Sequence, residues 1–264
     1  MKKFMALLLV AGMTLSLTAC GGSTDTAKTD QADGKDTFTV GFDQDFPPMG
    51  FVGDDGEFTG FDLEMAAEVA KRLNLTIAYQ PIAWDAKDME LDAGTIDCIW
   101  NGFTMNGRED DYEWSKPYMK NNQVFVVRGD SDINSEADLA GKNVEVQTDS
   151  SAEAALNDNS ELTSTFGSLT PVADYNTAFM DLESGAVDAI AMDDVVASYQ
   201  ITSRKADFKV LDDVIAAEEY GIGFKKGNTG LRDKVQATLE EMAADGTAAK
   251  ISEKWFGKDI TTIQ

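Results

Sequence analysis

The sequence contains no histidine among its 264 residues and only two cysteines, Cys20 and Cys98. Without histidine there can be no serine–histidine–aspartate or cysteine–histidine catalysis, no metal-binding histidine pair and no imidazole proton switch. Two cysteines are too few for a disulfide framework or a four-cysteine zinc site. We therefore expect no catalytic residues of these classes, no metal and no other cofactor.

Basic residues are also scarce, because 22 Lys and Arg face 47 Asp and Glu, and the net charge is −25. A protein this acidic binds a phosphate backbone only through a local basic patch, and the sequence contains none. Nucleic acid is thereby excluded as a partner. The share of hydrophobic residues, 43%, is ordinary for a globular protein, and the length predicts one or two domains with their own cores.

The first nineteen residues begin with two lysines and continue as an apolar stretch. Thr14 and Ser16 interrupt this stretch, which is too short for a membrane span, so residues 1–19 are predicted to be a secretory signal peptide. The alternative is an N-terminal helix buried in the fold. Leu17-Thr18-Ala19-Cys20 resembles a bacterial lipobox and predicts a signal peptide that ends before a lipidated Cys20.

Residues 20–36 are predicted to be the lipidated cysteine and a flexible tether. The segment after Cys20 has no aliphatic side chain larger than alanine, so it cannot bury enough apolar surface to offset the entropy of ordering. Together these features predict a globular body that is secreted across the bacterial cytoplasmic membrane and held by lipid alone at its outer face. Cys98 lies in an apolar run, which favours a buried structural thiol over a nucleophile.

From residue 37 onward short apolar runs alternate with amphipathic helical patterns, which predicts an α/β protein with mostly parallel sheets. The predicted strands cover residues 38–42, 76–82, 96–100, 123–127, 144–147, 187–192 and 221–224. The predicted helices cover residues 61–73, 150–156, 176–184, 195–204 and 229–244.

Two stretches, Leu91–Ile99 and Leu182–Ile190, share one pattern: Leu, acid, small, Gly, small, β-branched, Asp, small, Ile. Each predicts a helix that ends at its glycine and leads into a buried strand. Chance similarity is one interpretation. The other is two similarly built lobes whose strand ends face a common cleft, where ligands of open α/β sheets bind.

Charged residues follow both of these strands. Arg108 is either a bidentate partner for a ligand carboxylate or one half of a surface ion pair. Asp193 either holds an ammonium group or caps the helix that starts after it. A zwitterionic ligand would need both groups at once.

Two further segments suit such a cleft. Ser150 and Ser151 lie at a helix start, whose backbone N–H groups favour an anion, although a simply capped helix is the alternative. Asp43 and Phe46 follow the first strand, and Trp84 follows the second. These aromatic residues either enclose an aliphatic or cationic ligand side chain beside an acid, or belong to the core.

Several ordered motifs beyond the tether resemble the amino-acid-binding family of ABC-transporter solute-binding proteins, the bacterial extracellular solute-binding protein family 3, in its lipoprotein form. The motifs are Val40-Gly41-Phe42-Asp43 with Phe46-Pro47-Pro48, Gly60-Phe61-Asp62-Leu63-Glu64, Gly102-Phe103-Thr104 with Arg108, Trp114-Ser115-Lys116-Pro117-Tyr118, Asp138-Leu139-Ala140-Gly141-Lys142, Asp188-Ala189, Tyr220-Gly221-Ile222 and Lys254-Trp255-Phe256-Gly257.

The resemblance implies a bilobal periplasmic-binding-protein fold, with two α/β lobes joined by a two-strand hinge and a ligand cleft between them. Lobe 1 would comprise residues 37–122 plus 220–264, and lobe 2 residues 123–219. The crossovers at Asn122-Gln123 and Tyr220-Gly221 would be the hinge, which closes the lobes around a ligand.

In such a family member the arginine matching Arg108 grips the ligand α-carboxylate, and the acid matching Asp193 grips the α-ammonium. Backbone groups at Ser150 and Ser151 would join the carboxylate. The full set of ligand-binding residues expected from the resemblance is Asp43, Phe46, Trp84, Asn101, Gly102, Phe103, Thr104, Arg108, Ser150, Ser151 and Asp193.

The function that follows is capture of a free polar amino acid and its delivery to a membrane complex of ABC permease and ATPase, by a monomer that is not an enzyme. Asp43 beside aromatic residues favours a cationic or amide side chain. The alternatives are a small-carboxylate dehydratase on the same fold, in which Asp193 would be an acid or base, and a ligand-sensing ectodomain subunit with a separate signalling partner.

Overall fold

The computed structural model describes residues 36–264. The predicted signal peptide, the lipidated Cys20 and nearly all of the tether lie outside the described residues. Among residues 36–264, no helix combines the length and the apolar character that crossing a bilayer requires.

Strands and helices alternate through most of the described chain. Its strands are β1 (Thr37–Phe42), β2 (Asp45–Phe46), β3 (Gly50–Val52), β4 (Phe58–Thr59), β5 (Thr76–Pro81), β6 (Cys98–Thr104), β7 (Glu113–Trp114), β8 (Met119–Arg128), β9 (Asn143–Gln147), β10 (Ser168–Val172), β11 (Ala189–Asp193) and β12 (Phe208–Phe224). Its helices are α1 (Phe61–Arg72), α2 (Lys87–Ala93), α3 (Ser151–Asp158), α4 (Ser160–Thr163), α5 (Tyr175–Ser184), α6 (Asp194–Arg204), α7 (Thr229–Ala244) and α8 (Thr247–Phe256).

Every helix predicted from hydrophobic periodicity is confirmed, with ends shifted by two residues at most. Helices α4 and α8 were not predicted. The strand predicted at 221–224 is the end of a much longer strand, β12, which begins at Phe208.

The main sheet of the described chain has nine strands, with β7 paired to β12 outside the path β10-β9-β11-β8-β12-β6-β1-β5. We call β6, β1 and β5 its first half and β11, β9 and β10 its second half. Strands pair in parallel within each half. Strands β8 and β12 run antiparallel to each other along the middle and join the halves.

The prediction of mostly parallel sheets is therefore wrong at the centre of the sheet. Strand β8 carries the chain from the first half to the second, and β12 brings it back. Because these two paths run side by side in opposite directions, they pair antiparallel, whereas the strands of each half are linked by helical crossovers that make them parallel.

The repeated sequence pattern is confirmed as a repeated structure. Helices α2 and α5 end at Gly94 and Gly185, which both adopt the left-handed conformation with φ of 74° and 78°. Each glycine N–H donates to carbonyl groups of its helix's last turn, and each connection leads to a strand, β6 or β11, in which every residue is buried. The two patterns thus have one physical cause, a C-terminal glycine cap before a core strand.

The aspartates of the two patterns also occupy matching positions. The Asp97 carboxylate accepts the Thr39 N–H at 2.7 Å, and the Asp97 N–H donates to the Thr39 carbonyl at 2.8 Å. Asp188 makes the same pair of bonds with Asn143, both at 2.9 Å. Each aspartate therefore fixes the start of its strand against the neighbouring parallel strand of its own half.

Cys98 opens β6 and is fully buried, as the apolar run around it predicted. Burial raises the pKa of its thiol well above the usual value, with smaller contributions from Asp97 and Asp62. The side chain therefore stays a protonated thiol at neutral pH and contributes to packing.

Asp62, in the first turn of α1, is a fully buried carboxyl group. One of its oxygens accepts both the Gly102 N–H at 2.6 Å and the Tyr118 hydroxyl at 2.9 Å. Burial raises its pKa to about 7, although these two hydrogen bonds act in the opposite direction. Asp62 thus fixes the backbone of β6 at Gly102.

Asp62→Asn should flatten the dependence of stability on pH. The wild-type side chain keeps its proton in the folded protein up to about pH 7 but loses it in the unfolded chain near pH 4, so folding becomes less favourable as pH rises across that window. An asparagine oxygen can accept both hydrogen bonds and does not titrate. We expect wild type to lose about 2 kcal/mol more unfolding free energy than Asp62→Asn between about pH 5 and about pH 8, measured by urea unfolding. Equal losses would contradict this, and Asp212→Asn at an exposed position is the control.

Candidate ligand-binding site

The carboxyl ends of strands from both halves of the sheet meet around a narrow pocket. Its lining comes from the first half through Phe46, Trp84, Asn101, Gly102, Thr104 and Arg108, and from the second half through Gln147, Ser150, Ser151 and Asp193. All but two of the residues expected from the sequence line this pocket. The exceptions are Asp43 and Phe103, and Gln147 is an addition.

Arg108 presents its guanidinium to the pocket without a carboxylate partner in residues 36–264. Its Nη1 donates to the Thr104 carbonyl at 3.4 Å and its Nη2 to the Asp149 carbonyl at 3.3 Å. The guanidinium carbon lies 5.5 Å from the centre of the Phe103 ring. The surface ion pair that the sequence left open is therefore not formed within the described chain, and the cation remains available to a ligand carboxylate.

Asp193 ends β11 on the opposite side of the pocket and is only 3% exposed. It occupies the cap position of α6, but its side chain makes no capping bond, so the capping interpretation is wrong. Instead its Oδ1 accepts the Tyr220 hydroxyl and the Asn121 Nδ2 at 3.1 Å. Burial raises the pKa of this carboxyl well above its usual value, and the neighbouring Glu218 carboxyl adds to the effect.

The start of α3 is a capped helix and also lines the pocket. The Ser150 hydroxyl accepts the Glu153 N–H at 3.1 Å, and the Glu153 carboxylate accepts the Asp149 N–H at 2.6 Å. The capping alternative is thus confirmed. Because both Ser150 and Ser151 line the pocket, the same helix start also directs the positive end of its dipole there.

Asp43 lies behind the pocket lining instead of in it. Its carboxylate is buried, where it accepts the Gln147 Nε2 at 2.6 Å and the Asp45 N–H at 2.8 Å. Burial raises its pKa to about 6, against the effect of these hydrogen bonds. Gln147, which the sequence analysis missed, ends β9 in the same way that Asp193 ends β11, so a polar residue at a strand end was the available signal.

The aromatic residues divide between pocket and core. Phe46 and Trp84 line the pocket, and the Trp84 ring meets the Phe103 ring edge-on at 5.5 Å. Phe103 is fully buried against Tyr112 and Trp114, with ring centres 5.0 and 4.8 Å away. The Phe103 ring therefore belongs to the core and supports Arg108 from behind.

Glu218, on β12, is a further buried carboxylate, which the sequence analysis missed. Its Oε1 accepts the Asn121 Nδ2 at 2.7 Å and the Gln123 Nε2 at 2.8 Å, and its Oε2 accepts the Thr104 hydroxyl at 2.9 Å. Nothing in the local sequence distinguishes Glu218 from Glu219 beside it. Glu218 faces inward because of the register in which β12 pairs with β8.

Hydrogen bonds between residues of the two halves span the cleft. The Thr104 and Ser151 hydroxyl oxygens lie 3.1 Å apart, within hydrogen-bond distance. The other spanning pairs are Gln147 with Asp43, Asn176 with Asp45, and the buried Lys87 with Asp149. The two halves are thus in direct polar contact around the pocket. The described residues bring together no cluster of acidic or cysteine side chains suited to a metal ion.

Comparison with known proteins identifies a family over nearly the whole described chain. The family model described as "Bacterial extracellular solute-binding proteins, family 3" matches residues 38–258. The L-cystine-binding protein TcyJ of Escherichia coli (strain K12) is 33% identical over 260 residues, which cover 97% of this chain and 94% of that protein. The arginine-binding extracellular protein ArtP of Bacillus subtilis (strain 168) is 31% identical over 261 residues, which cover 97% of this chain and 98% of that protein.

Solved structures share the fold. The ABC uptake transporter substrate-binding protein from Streptococcus pneumoniae with bound histidine superposes with a TM-score of 0.83 at 35% sequence identity, covering 86% of this chain and 95% of that one. The fold is therefore the bilobal one, with the pocket between the lobes.

Gly102→Ala should destabilise the protein by about 2 kcal/mol. Gly102 has φ of 57°, and an added Cβ would lie 3.1 Å from the Phe46 and Tyr220 rings. Gly246→Ala is the matched control, because Gly246 also has positive φ, 79°, with nothing within 4 Å of the added atom. Urea unfolding should show a larger loss for Gly102→Ala than for Gly246→Ala. Equal losses would mean that the Phe46 and Tyr220 rings can move aside without loss of stability.

Proposed function

Because the chain belongs to the bacterial extracellular solute-binding proteins, family 3, we propose that it captures a polar amino acid in this cleft and delivers it to the permease and ATPase complex of an ABC importer. Proteins similar to it bind cystine, arginine and histidine, and one of them is the substrate-binding protein of an ABC uptake transporter. Binding and release require no reacting group, which suits a chain without histidine.

The observation that carries the proposal is the pairing of Arg108 and Asp193 across one pocket. The cation has no carboxylate partner in the described chain, and the acid has only neutral hydrogen-bond donors around it. An amino acid supplies the missing charge to each, with its α-carboxylate on Arg108 and its α-ammonium on Asp193. The donors at Ser150 and Ser151 complete the carboxylate subsite.

We assign the ligand side chain to the end of the pocket formed by Phe46, Trp84 and Gln147, with Asp43 behind it. Asp45 and Asp174 add negative potential there, since both contribute to the raised pKa of Asp43. A cationic side chain would relieve this repulsion, and an amide could bond with Gln147. Cationic and amide amino acids are therefore the favoured ligands.

L-Cystine is the second candidate, because TcyJ, a cystine-binding protein, is 33% identical to this chain. Its distal ammonium would meet Asp43 as a cationic side chain would. Its distal carboxylate would need a donor in the same region, and Gln147 is the donor available there.

The remaining assignments belong to the same proposal. Lobe 1 comprises residues 37–122 plus 220–264, lobe 2 comprises residues 123–219, and β8 and β12 form the hinge between them. The protein acts as a monomer, is secreted, and is held at the outer face of the membrane by lipid on Cys20. The closed form delivers the ligand to the permease.

Arg108→Ala should weaken amino-acid binding by about 100-fold, because the ligand carboxylate loses its bidentate partner. Calorimetry with arginine, lysine, histidine, glutamine and cystine measures this, and an assay for new products in the same solutions tests for enzymatic turnover. Arg72→Ala is the control, since Arg72 forms ion pairs with Glu68 and Asp245 outside the pocket. Binding of no amino acid by wild type, or binding that survives Arg108→Ala, would refute the proposal.

Asp43→Asn should change which amino acids bind. Removing the negative charge should weaken cationic ligands by at least about tenfold relative to glutamine, because only the cationic side chains gain from that charge. Competition calorimetry measures the ratio directly, and Asp54→Asn at an exposed position is the matched control. An equal loss for cationic and neutral ligands would show that Asp43 supports the fold of the pocket without selecting the ligand.

A further inference from the structure

The carboxyl groups of Asp193 and Glu218 share a single amide donor. The Asn121 Nδ2 lies 3.1 Å from Asp193 Oδ1 and 2.7 Å from Glu218 Oε1. The two residues are 3% and 5% exposed. Two acids of different strands, β11 and β12, are thus held side by side away from water at the junction of the lobes.

No basic side chain in residues 36–264 forms an ion pair with either acid. The groups facing them are hydroxyls and amides of the elements packed around them: Tyr220 and Thr104 hydroxyls, the Asn121 and Gln123 amides, and the Tyr175 ring of α5. Arg108 lines the same pocket as Asp193, and Lys120, Asp194 and Lys258 line a second groove together with Glu218. Hydrogen bonds from neutral groups leave the pair's charge uncompensated.

Two buried carboxylates this close cannot both be ionised without strong repulsion. The raised pKa of Asp193, caused first by burial and then by Glu218, has the same origin. The Asp193 carboxyl beside Glu218 therefore retains its proton to higher pH than an isolated aspartate does.

We propose that Glu218 is the second carboxyl of the ammonium subsite, and that it shares one proton with Asp193 until the ligand's ammonium group arrives and that proton leaves. This inference rests on the proposed function. The ammonium brings one positive charge and keeps its own three protons. The O–H bond of the carboxyl pair breaks, its proton passes to solvent or buffer, and the total charge of the subsite is unchanged.

Glu218 also links the subsite to both lobes. Its Oε2 accepts the Thr104 hydroxyl, whose oxygen lies 3.1 Å from the Ser151 hydroxyl and can accept its proton. Its Oε1 accepts the Gln123 amide, which also donates to Ser151 at 2.9 Å. Glu218 is thus a positioning residue for the contacts that span the cleft. Loss of the proton strengthens its capacity to accept those hydrogen bonds, which favours the spanned arrangement when ligand is bound.

The sign of the pH dependence follows from the proton that leaves. Since the bound form holds fewer protons, amino-acid affinity should rise with pH until the pair has lost its proton in the free protein, and then level off. Asp43, with its pKa raised to about 6, is a second possible source of a proton when the ligand side chain is cationic. Glutamine as ligand removes that source.

Calorimetry in buffers of different ionisation enthalpy counts the protons directly. Wild type binding its tightest neutral amino acid in the pH range below the plateau, where affinity still rises with pH, should release about one proton per ligand. Glu218→Gln should release far less, because Asp193 then ionises without a repelling neighbour. The control is Glu219→Gln, which removes the same charge one residue away on β12, where the side chain lies outside the pair. It should release as much as wild type.

The outcomes separate the two proposals. Binding without proton release in wild type, or undiminished release in Glu218→Gln, would overturn the shared proton and leave the proposed function intact. Release lost in Asp43→Asn but kept in Glu218→Gln would assign the proton to Asp43 and overturn it equally. Binding of no amino acid would refute the proposed function itself.

If a variant folds but binds no ligand, the pairing of Asp193 with Glu218 can still be tested in the ligand-free protein. Carbon-13 NMR titration of the side-chain carboxyls should show Asp193 with a raised pKa in wild type and in Glu219→Gln, and a pKa shifted toward its ordinary value in Glu218→Gln. An Asp193 signal that does not move between wild type and Glu218→Gln would contradict the pairing.

Discussion

A buried negative charge without a cation is the constraint on which this cleft depends. Asp193 and Glu218 are taken out of water at the junction of the lobes, and only neutral donors in residues 36–264 reach them. Such a pair lowers the stability of the unliganded fold, and the ligand ammonium group that we propose to bind there would reverse that penalty. On this proposal the free-energy cost of burying the two carboxyls would contribute to binding, and only a ligand that brings a positive charge to them would gain from it.

The central strands β8 and β12 connect the two acids to both lobes. Strands β8 and β12 run along each other through both halves of the sheet, and residues from both of them hold the two acids. Arg108 follows β6 in one half, and Asp193 ends β11 in the other. The separation between cation and acid is therefore set by the hinge. A zwitterion that fits both is a bridge between lobes, which connects recognition to closure.

Local sequence predicted the elements and much of the pocket, because each prediction depended on a short-range pattern. A glycine-capped helix leading to a buried strand is visible in the sequence, and so is a polar residue such as Arg108 or Asp193 after that strand. Glu218 was not predictable, since its inward orientation depends on pairing between β8 and β12 with register shifts near Val214. The antiparallel centre of the sheet was missed for the same reason. The ligand roles of the pocket residues stay proposals.

The most direct test of the account is a crystal structure of the protein with its tightest-binding amino acid. We expect the ligand between the lobes, its ammonium nitrogen about 2.8 Å from a carboxylate oxygen of Asp193 and its carboxylate in bidentate contact with Arg108. The Phe46 and Trp84 rings should enclose its side chain. A ligand bound in the groove that Lys120 and Asp194 line, or bound in this pocket with its ammonium group away from Asp193, would contradict the central claim.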